Sequence, residues 1–224
     1  MPRSRPSFLL GPCTALLFAL AVAGGSAAES HSITGPNGQK VELEVHEPPA
    51  FDPEREYSVL VGPGDYYWQG EPSQPGWITV TSHAFFEGRG DETAVLDWLR
   101  KTYKVRQGGF HITGWSANSA AIFKVAMDHP EQFLSVTGVA GMPGRGSEDR
   151  LERLRGVRVQ FIVGERDTYW REGSERWHRL LEEKGVQSSL EIVPDGEHVM
   201  PEIADGPFFE RLNRLVAAIE AQRD

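Results

Sequence analysis

The chain has 224 residues, 39% hydrophobic and 25% charged, with 24 Gly, 15 Pro and one Cys. This length and apolar content suit one domain, or two very small ones, with enough apolar residues for a core, and exclude a disordered chain; glycine follows no three-residue period and no repeat of roughly 20 to 50 residues is present, which excludes collagen-like and solenoid forms. The 23 Lys+Arg against 32 Asp+Glu give a net charge of −9, the wrong sign for gripping nucleic acid or an anionic membrane.

In chain order, Arg3 and Arg5 precede an apolar run over 15–23, followed by Gly24-Gly25-Ser26-Ala27-Ala28. A positive start, an apolar middle and a small-residue end make up a secretory signal peptide, with cleavage expected near Ala28. A retained anchor is the alternative, but the run is about half of the roughly 20 apolar residues that cross a bilayer. Cys13 precedes the apolar run, whereas an acylated lipoprotein cysteine follows it. The expectation is a leader over 1–28 and one folded domain over 29–224. That domain would be secreted or periplasmic, not inserted in a membrane, free of cysteine and therefore of disulfides. The leader takes two arginines and no acid, so the remainder carries about −11.

Residues 31–47 read as a hairpin: a short strand, a turn at Gly35-Pro36-Asn37-Gly38, then a strand alternating Val41, Leu43 and Val45 with Glu42, Glu44 and His46. After it, apolar segments alternate with amphipathic ones, the pattern of βαβ units and a mostly parallel sheet. Strands are predicted over 57–61, 77–81, 110–114, 134–140, 157–163 and 190–193. A helix capped by Asp91 places Val95, Leu96, Leu99 and Tyr103 on one face and ends by Gly108-Gly109. A second begins just after Ser116 and stops before His129-Pro130. A third aligns Trp170, Ser174, Trp177 and Leu181, and a fourth Phe208, Leu212, Leu215, Val216 and Ile219.

The strand ending at Gly114 runs through Trp115-Ser116-Ala117-Asn118 into a helix. A serine on a sharp strand-to-helix turn has its hydroxyl pushed out of the sheet, and the residues two before and two after it must be small. Gly114 fits; Asn118 stands where a second glycine is usual, and asparagine tolerates unusual backbone angles. A serine hydroxyl needs a base to take its proton and an acid to orient that base. The next strand ends supply both in order: Gly164-Glu165-Arg166-Asp167, then Pro194-Asp195-Gly196-Glu197-His198. Asp167 is the first choice of acid and Glu165 the second, because Asp195, three residues before the histidine on one tight loop, can hardly reach its far nitrogen.

With Leu96-Asp97-Trp98-Leu99, the approach over 110–114, the elbow, Gly164-Glu165-Arg166-Asp167 and Gly196-Glu197-His198, the chain resembles the α/β-hydrolases over about residues 57 to 222. More narrowly, it resembles small secreted esterases related to polyhydroxybutyrate depolymerases and to feruloyl or acetyl-xylan esterases. The resemblance implies a single α/β-hydrolase domain over 29–224, with a mostly parallel sheet, an N-terminal antiparallel hairpin and no cap domain. It implies a carboxylic-ester hydrolase with Ser116 as nucleophile, His198 as base and Asp167 as orienting acid, needing no metal or organic cofactor. The substrate would be a small-molecule or polymer-borne ester. One oxyanion donor would be the N–H of Ala117. The second belongs to the loop after strand 57–61, where Pro63 has no N–H to give, which leaves Gly64, Asp65 or Tyr66, with Gly64 favoured.

Tyr66, Trp115 and Trp170 are the residues expected to touch substrate, with Tyr67, Trp68 and Tyr169 on the same loops. Packing is an equal reading for such aromatics. His31, His46, His129 and His178 lack companions at metal-ligand spacing, and His83, which follows a strand and could line the site, reads as structural or solvated. Ser119, one turn into the helix, is expected to cap or pack. The stretch 141–156 is too short for a helical cap, so an open pocket is expected. A non-catalytic binding protein on the same scaffold is the alternative, as is a peptidase or thioesterase using the same three residues.

Overall fold

Apolar strands separated by amphipathic helices must be covered on both faces. The computed structural model, which describes residues 28–64, 67, 74–87 and 90–222, has this layered form. The strands are β1 (Glu29–Thr34), β2 (Lys40–His46), β3 (Ser58–Gly62), β4 (Trp77–Thr81), β5 (Phe110–Trp115), β6 (Phe133–Val139), β7 (Arg158–Gly164) and β8 (Ser188–Val193). They form one sheet ordered β1-β2-β4-β3-β5-β6-β7-β8. β1 and β2 pair antiparallel, as do β2 and β4, and every later pairing is parallel. The expected N-terminal hairpin on a mostly parallel sheet is therefore present. The outer strands are polar: β1 carries Glu29, Ser30 and Ser32, and β8 carries Ser188, Ser189 and Glu191.

The helices are α1 (Ala84–Glu87), α2 (Asp91–Thr102), α3 (Asn118–Asp128), α4 (Thr168–Glu183) and α5 (Gly206–Glu220). Neighbouring strand residues point to opposite faces, so each central strand feeds two cores. Val59, Val61, Ile78, Val80, Val159 and Phe161 meet Leu96, Leu99, Ile122, Phe123, Trp177 and Leu181 of α2, α3 and α4. Leu60, Trp77 and Ile162 meet Phe208, Phe209, Leu212 and Val216 of α5 on the other face. The Trp77 indole N–H donates to Asn213 Oδ1 at 2.8 Å, pinning α5 to β4.

Two helix ends differ from expectation. Gly90, at φ 89, caps α2, and Asp91 is its first residue, its carboxylate accepting the Gln39 amide. The helix stops at Thr102, well before Gly108, because Tyr57 exchanges backbone hydrogen bonds with Lys104 and Arg106 at 2.9 and 2.8 Å and draws that segment to the foot of β3. The sequence also hid α1 and a 3-10 helix over Glu148–Leu154, whose Leu151 and Leu154 are fully buried in the α2-side core.

At the start of β5, His111 is buried, with Nδ1 2.7 Å from Ser135 Oγ and the ring edge-on to Trp77 at 5.1 Å. Burial, helped by the nearby positive charge of Arg106, lowers its pKa to about 3. A histidine held neutral contributes stability that is fully present above its unfolded pKa and is lost as pH falls towards the folded value. Stability should therefore decline below about pH 6.5 by up to about 1.4 kcal/mol per pH unit until about pH 3. Urea denaturation from pH 7 to 4 tests this: His111→Leu should be less stable at pH 7 yet show a shallower acid slope than wild type.

Candidate active site

β5 places Ser116 between strand and helix. Its backbone is left-handed at φ 54, which a non-glycine residue adopts only where its surroundings impose it. Its N–H continues the sheet by donating to the Val139 carbonyl at 3.0 Å, while its own carbonyl accepts from the Ser119 N–H at 3.1 Å. The crowding that makes the turn sharp is visible around it. A Cβ on Gly114 would sit 3.0 Å from Ile122 Cγ1 and 3.3 Å from Ser119 Cα. One on Gly141 would collide with the Ser119 side chain and lie 3.3 Å from the Ser116 carbonyl oxygen. The close approach on the helix side thus falls between Ser119 and Gly141, and position 118 holds a half-buried asparagine. Ser119 packs as expected, buried and donating to the Gly114 carbonyl at 2.9 Å.

The other two residues arrive from the C-terminal ends of β7 and β8, as the expected order requires. His198 Nε2 lies 2.9 Å from Ser116 Oγ, and His198 Nδ1 lies 2.7 Å from Asp167 Oδ2. Asp167 stands at the N-cap of α4, its side chain 10% exposed, whereas the His198 side chain is 37% exposed. Glu165, the second choice of acid, faces elsewhere: its carboxylate accepts the Asp195 N–H at 2.9 Å and its carbonyl accepts Arg171 Nη1 at 2.7 Å. Asp195 pairs with Arg166. The histidine loop is seated against β7, where a Cβ on Gly164 would collide with the carbonyl oxygens of Gly196 and Glu197, and the Arg166 N–H donates to the Gly196 carbonyl at 2.8 Å.

Ala117 is exposed and caps α3, so its N–H stands at the positive end of the helix, where backbone donors lack partners within the helix. Gly64 is half-buried at φ 118, a conformation suited to glycine, and a Cβ there would sit 3.4 Å from the Thr81 methyl. Asp65, Tyr66 and Trp68 lie outside the described residues. Tyr67 is buried in the α5-side core beside Phe208, at 5.9 Å between ring centroids.

Trp115 and Trp170, expected to touch substrate, both lie against the imidazole of His198. Their ring centroids are 5.3 and 5.7 Å from it, with interplanar angles of 36° and 26°. Residue-by-residue reading missed this pairing, although one tryptophan directly precedes Ser116 and the other follows Asp167 by three, a placement that signals it. The rim beside them is exposed at Tyr169 and Val199. Among the described residues no group of three metal-ligating side chains occurs, and no helix is long and apolar enough to cross a membrane.

No protein-family model and no curated protein matches the sequence. Solved structures do match. An esterase from Rhizomucor miehei is 13% identical with TM-score 0.65, covering 88% of this chain and 85% of its own. A ferulic acid esterase is 17% identical with TM-score 0.58, covering 83% of this chain and 98% of its own. Porphyromonas gingivalis dipeptidyl peptidase 4 is 14% identical with TM-score 0.64, covering 88% of this chain, which spans 36% of that longer protein. At such identities likeness speaks for architecture, and the architecture, with a serine elbow after β5 and an acid and a histidine after β7 and β8, is the α/β-hydrolase fold.

Proposed function

We propose that this chain is a secreted serine hydrolase acting on carboxylic esters. The observation that carries the proposal is the continuous hydrogen-bonded line from Ser116 Oγ through the His198 ring to Asp167, anchored at a left-handed elbow. In this reading His198 Nε2 takes the Ser116 proton as Oγ bonds to the ester carbonyl carbon, and the carbonyl oxygen becomes an oxyanion. The N–H of Ala117 and a donor from the loop after β3, with Gly64 favoured, stabilise that charge. His198 then gives the proton to the departing alcohol as the C–O bond breaks, leaving an acyl group on Ser116. Water repeats the sequence, with His198 as base, and releases the acid. Asp167 keeps His198 in the required tautomer and stabilises its imidazolium form.

The half-exposed Ser116 and the exposed Ala117 suit a small or polymer-borne ester reaching an open site. Esterases of similar architecture, matched over 85% and 98% of their length, support this reading, and the peptidase shares the same fold. The acidic surface disfavours polyanionic substrates. Export rests on the leader pattern over 1–28, so expression in a secreting host should yield a protein beginning at Glu29, checked by intact mass.

Fluorophosphonate should label wild type and fail to label Ser116→Ala. If both are labelled equally, or if folded wild type is not labelled at all, Ser116 is not the nucleophile and the non-catalytic reading takes its place. Asp167→Asn should keep its fold by circular dichroism and lose about 10²- to 10⁴-fold in kcat on a p-nitrophenyl acyl ester. A loss within threefold would remove Asp167 from its role.

A further inference from the structure

We propose that Trp115 and Trp170 are positioning residues for His198, their indole faces fixing the plane of the imidazole and favouring its charged form during turnover; the proposal rests on His198 acting as the base described above. Of the three reacting side chains, His198 has the least support from its own segment. Ser116 is gripped between β5 and α3 and Asp167 stands at the start of α4, but His198 lies in the irregular stretch between β8 and the 3-10 turn at Pro201–Ile203. Something outside that loop must set the ring's direction.

The two elements that supply the partners also supply the braces. β5 ends in Trp115, directly before Ser116, and α4 begins beside Asp167 with Trp170 in its first turn. Each indole lies face-inclined to the imidazole, at 5.3 and 5.7 Å between centroids. Trp115 also holds the loop backbone: its Nε1–H donates to the His198 carbonyl at 3.3 Å. Trp170 is backed by Tyr169, which meets it edge-on at 5.3 Å and 87°. The Asp167 and Ser116 bonds engage the ring's two edge nitrogens but nothing in them covers its faces. The indoles cover those faces and resist tilting of the ring out of its plane.

The same contacts have a chemical consequence. When the ring takes the Ser116 proton it becomes a cation, and the electron-rich face of an indole attracts a cation more than it attracts a neutral imidazole. That preference appears as charge develops, so it acts on the transition state rather than on substrate binding. Among the charged groups nearby, Asp167 bonds His198 itself, Glu165 accepts the Asp195 N–H, Arg166 pairs with Asp195, and Glu197 on the histidine's own loop is exposed. The indole faces add to the Asp167 bond as support for the charged ring.

Fluorescence tests the contact without any substrate, because an imidazolium quenches an adjacent indole much more than a neutral imidazole does. The measurement is made in a full-length Trp98→Phe background, which removes the indole that His31 meets at 4.8 Å between ring centroids, and emission there should drop as pH falls from 8 to 5. The drop should vanish in His198→Gln and shrink in both Trp115→Phe and Trp170→Phe. A drop that persists in His198→Gln, or survives replacement of both tryptophans, overturns the proposal.

Kinetics on p-nitrophenyl acetate tests the consequence. Trp115→Leu and Trp170→Leu should lower kcat about tenfold with KM changed less than twofold, and the phenylalanine variants should recover most of that loss. A rise in KM with kcat retained would make the two residues substrate contacts and overturn the positioning role. If the leucine variants do not fold, the fluorescence of the phenylalanine variants still decides. Failure of fluorophosphonate to label Ser116 would instead overturn the hydrolase reading, an outcome that the quenching experiment does not depend on.

Discussion

Everything at the top of this sheet depends on the left-handed backbone at Ser116. A residue with a side chain enters that region reluctantly, and here it is held there from two directions: the N–H is committed to β6 and the carbonyl to the first turn of α3. The turn can be so tight because glycine occupies the two positions where the chains nearly touch. Gly114 lets α3 fold back over the end of β5, and Gly141 lets the chain leaving β6 pass beneath Ser119. With the backbone so fixed, the hydroxyl has one direction to face, and the ends of β7 and β8 lie beside it because the sheet is parallel from β4 onwards.

Parallel neighbours explain how three residues spread over 82 positions of sequence meet in one place. β6 separates β5 from β7, so Asp167 and His198 reach Ser116 by loops that lean back across a strand. The seat of the histidine loop against Gly164 is part of that lean, and a side chain at Gly164 would push the loop away. The geometry of the site is thus a matter of close backbone packing as much as of the polar groups themselves.

Much of this could be read from the sequence because strands buried on both faces leave a plain signal. Continuous apolar runs at β3 and β7, each followed by glycine and polar residues, mark strand ends, and the order serine, acid, histidine is carried by those ends alone. The hairpin was equally legible, since Val41, Leu43 and Val45 alternate with exposed glutamates. What escaped depends on contacts distant in sequence. The early stop of α2 comes from backbone bonds to Tyr57, some 47 residues upstream of Lys104. The 3-10 helix at Glu148–Leu154 has too little regular periodicity to announce itself, and its two leucines are defined by the core they enter. The tryptophans looked like a binding rim because aromatic loop residues near a nucleophile read that way. Their contact with His198 appears once β5, α4 and the β8 loop are brought together.

The polar outer strands carry a consequence for how the molecule behaves in company. A sheet ends in a row of unpaired backbone groups, and a flat apolar border would invite another chain to continue it. Here one border is formed by β1, with Glu29 and its serines, and the other by β8, where Glu191 is tied to Arg211 at 2.7 Å. Any incoming strand would have to bury those charges and hydroxyls beside its own side chains. The sheet is therefore finite by chemistry at both borders, which guards a crowded, highly concentrated population of these molecules against edge-to-edge aggregation.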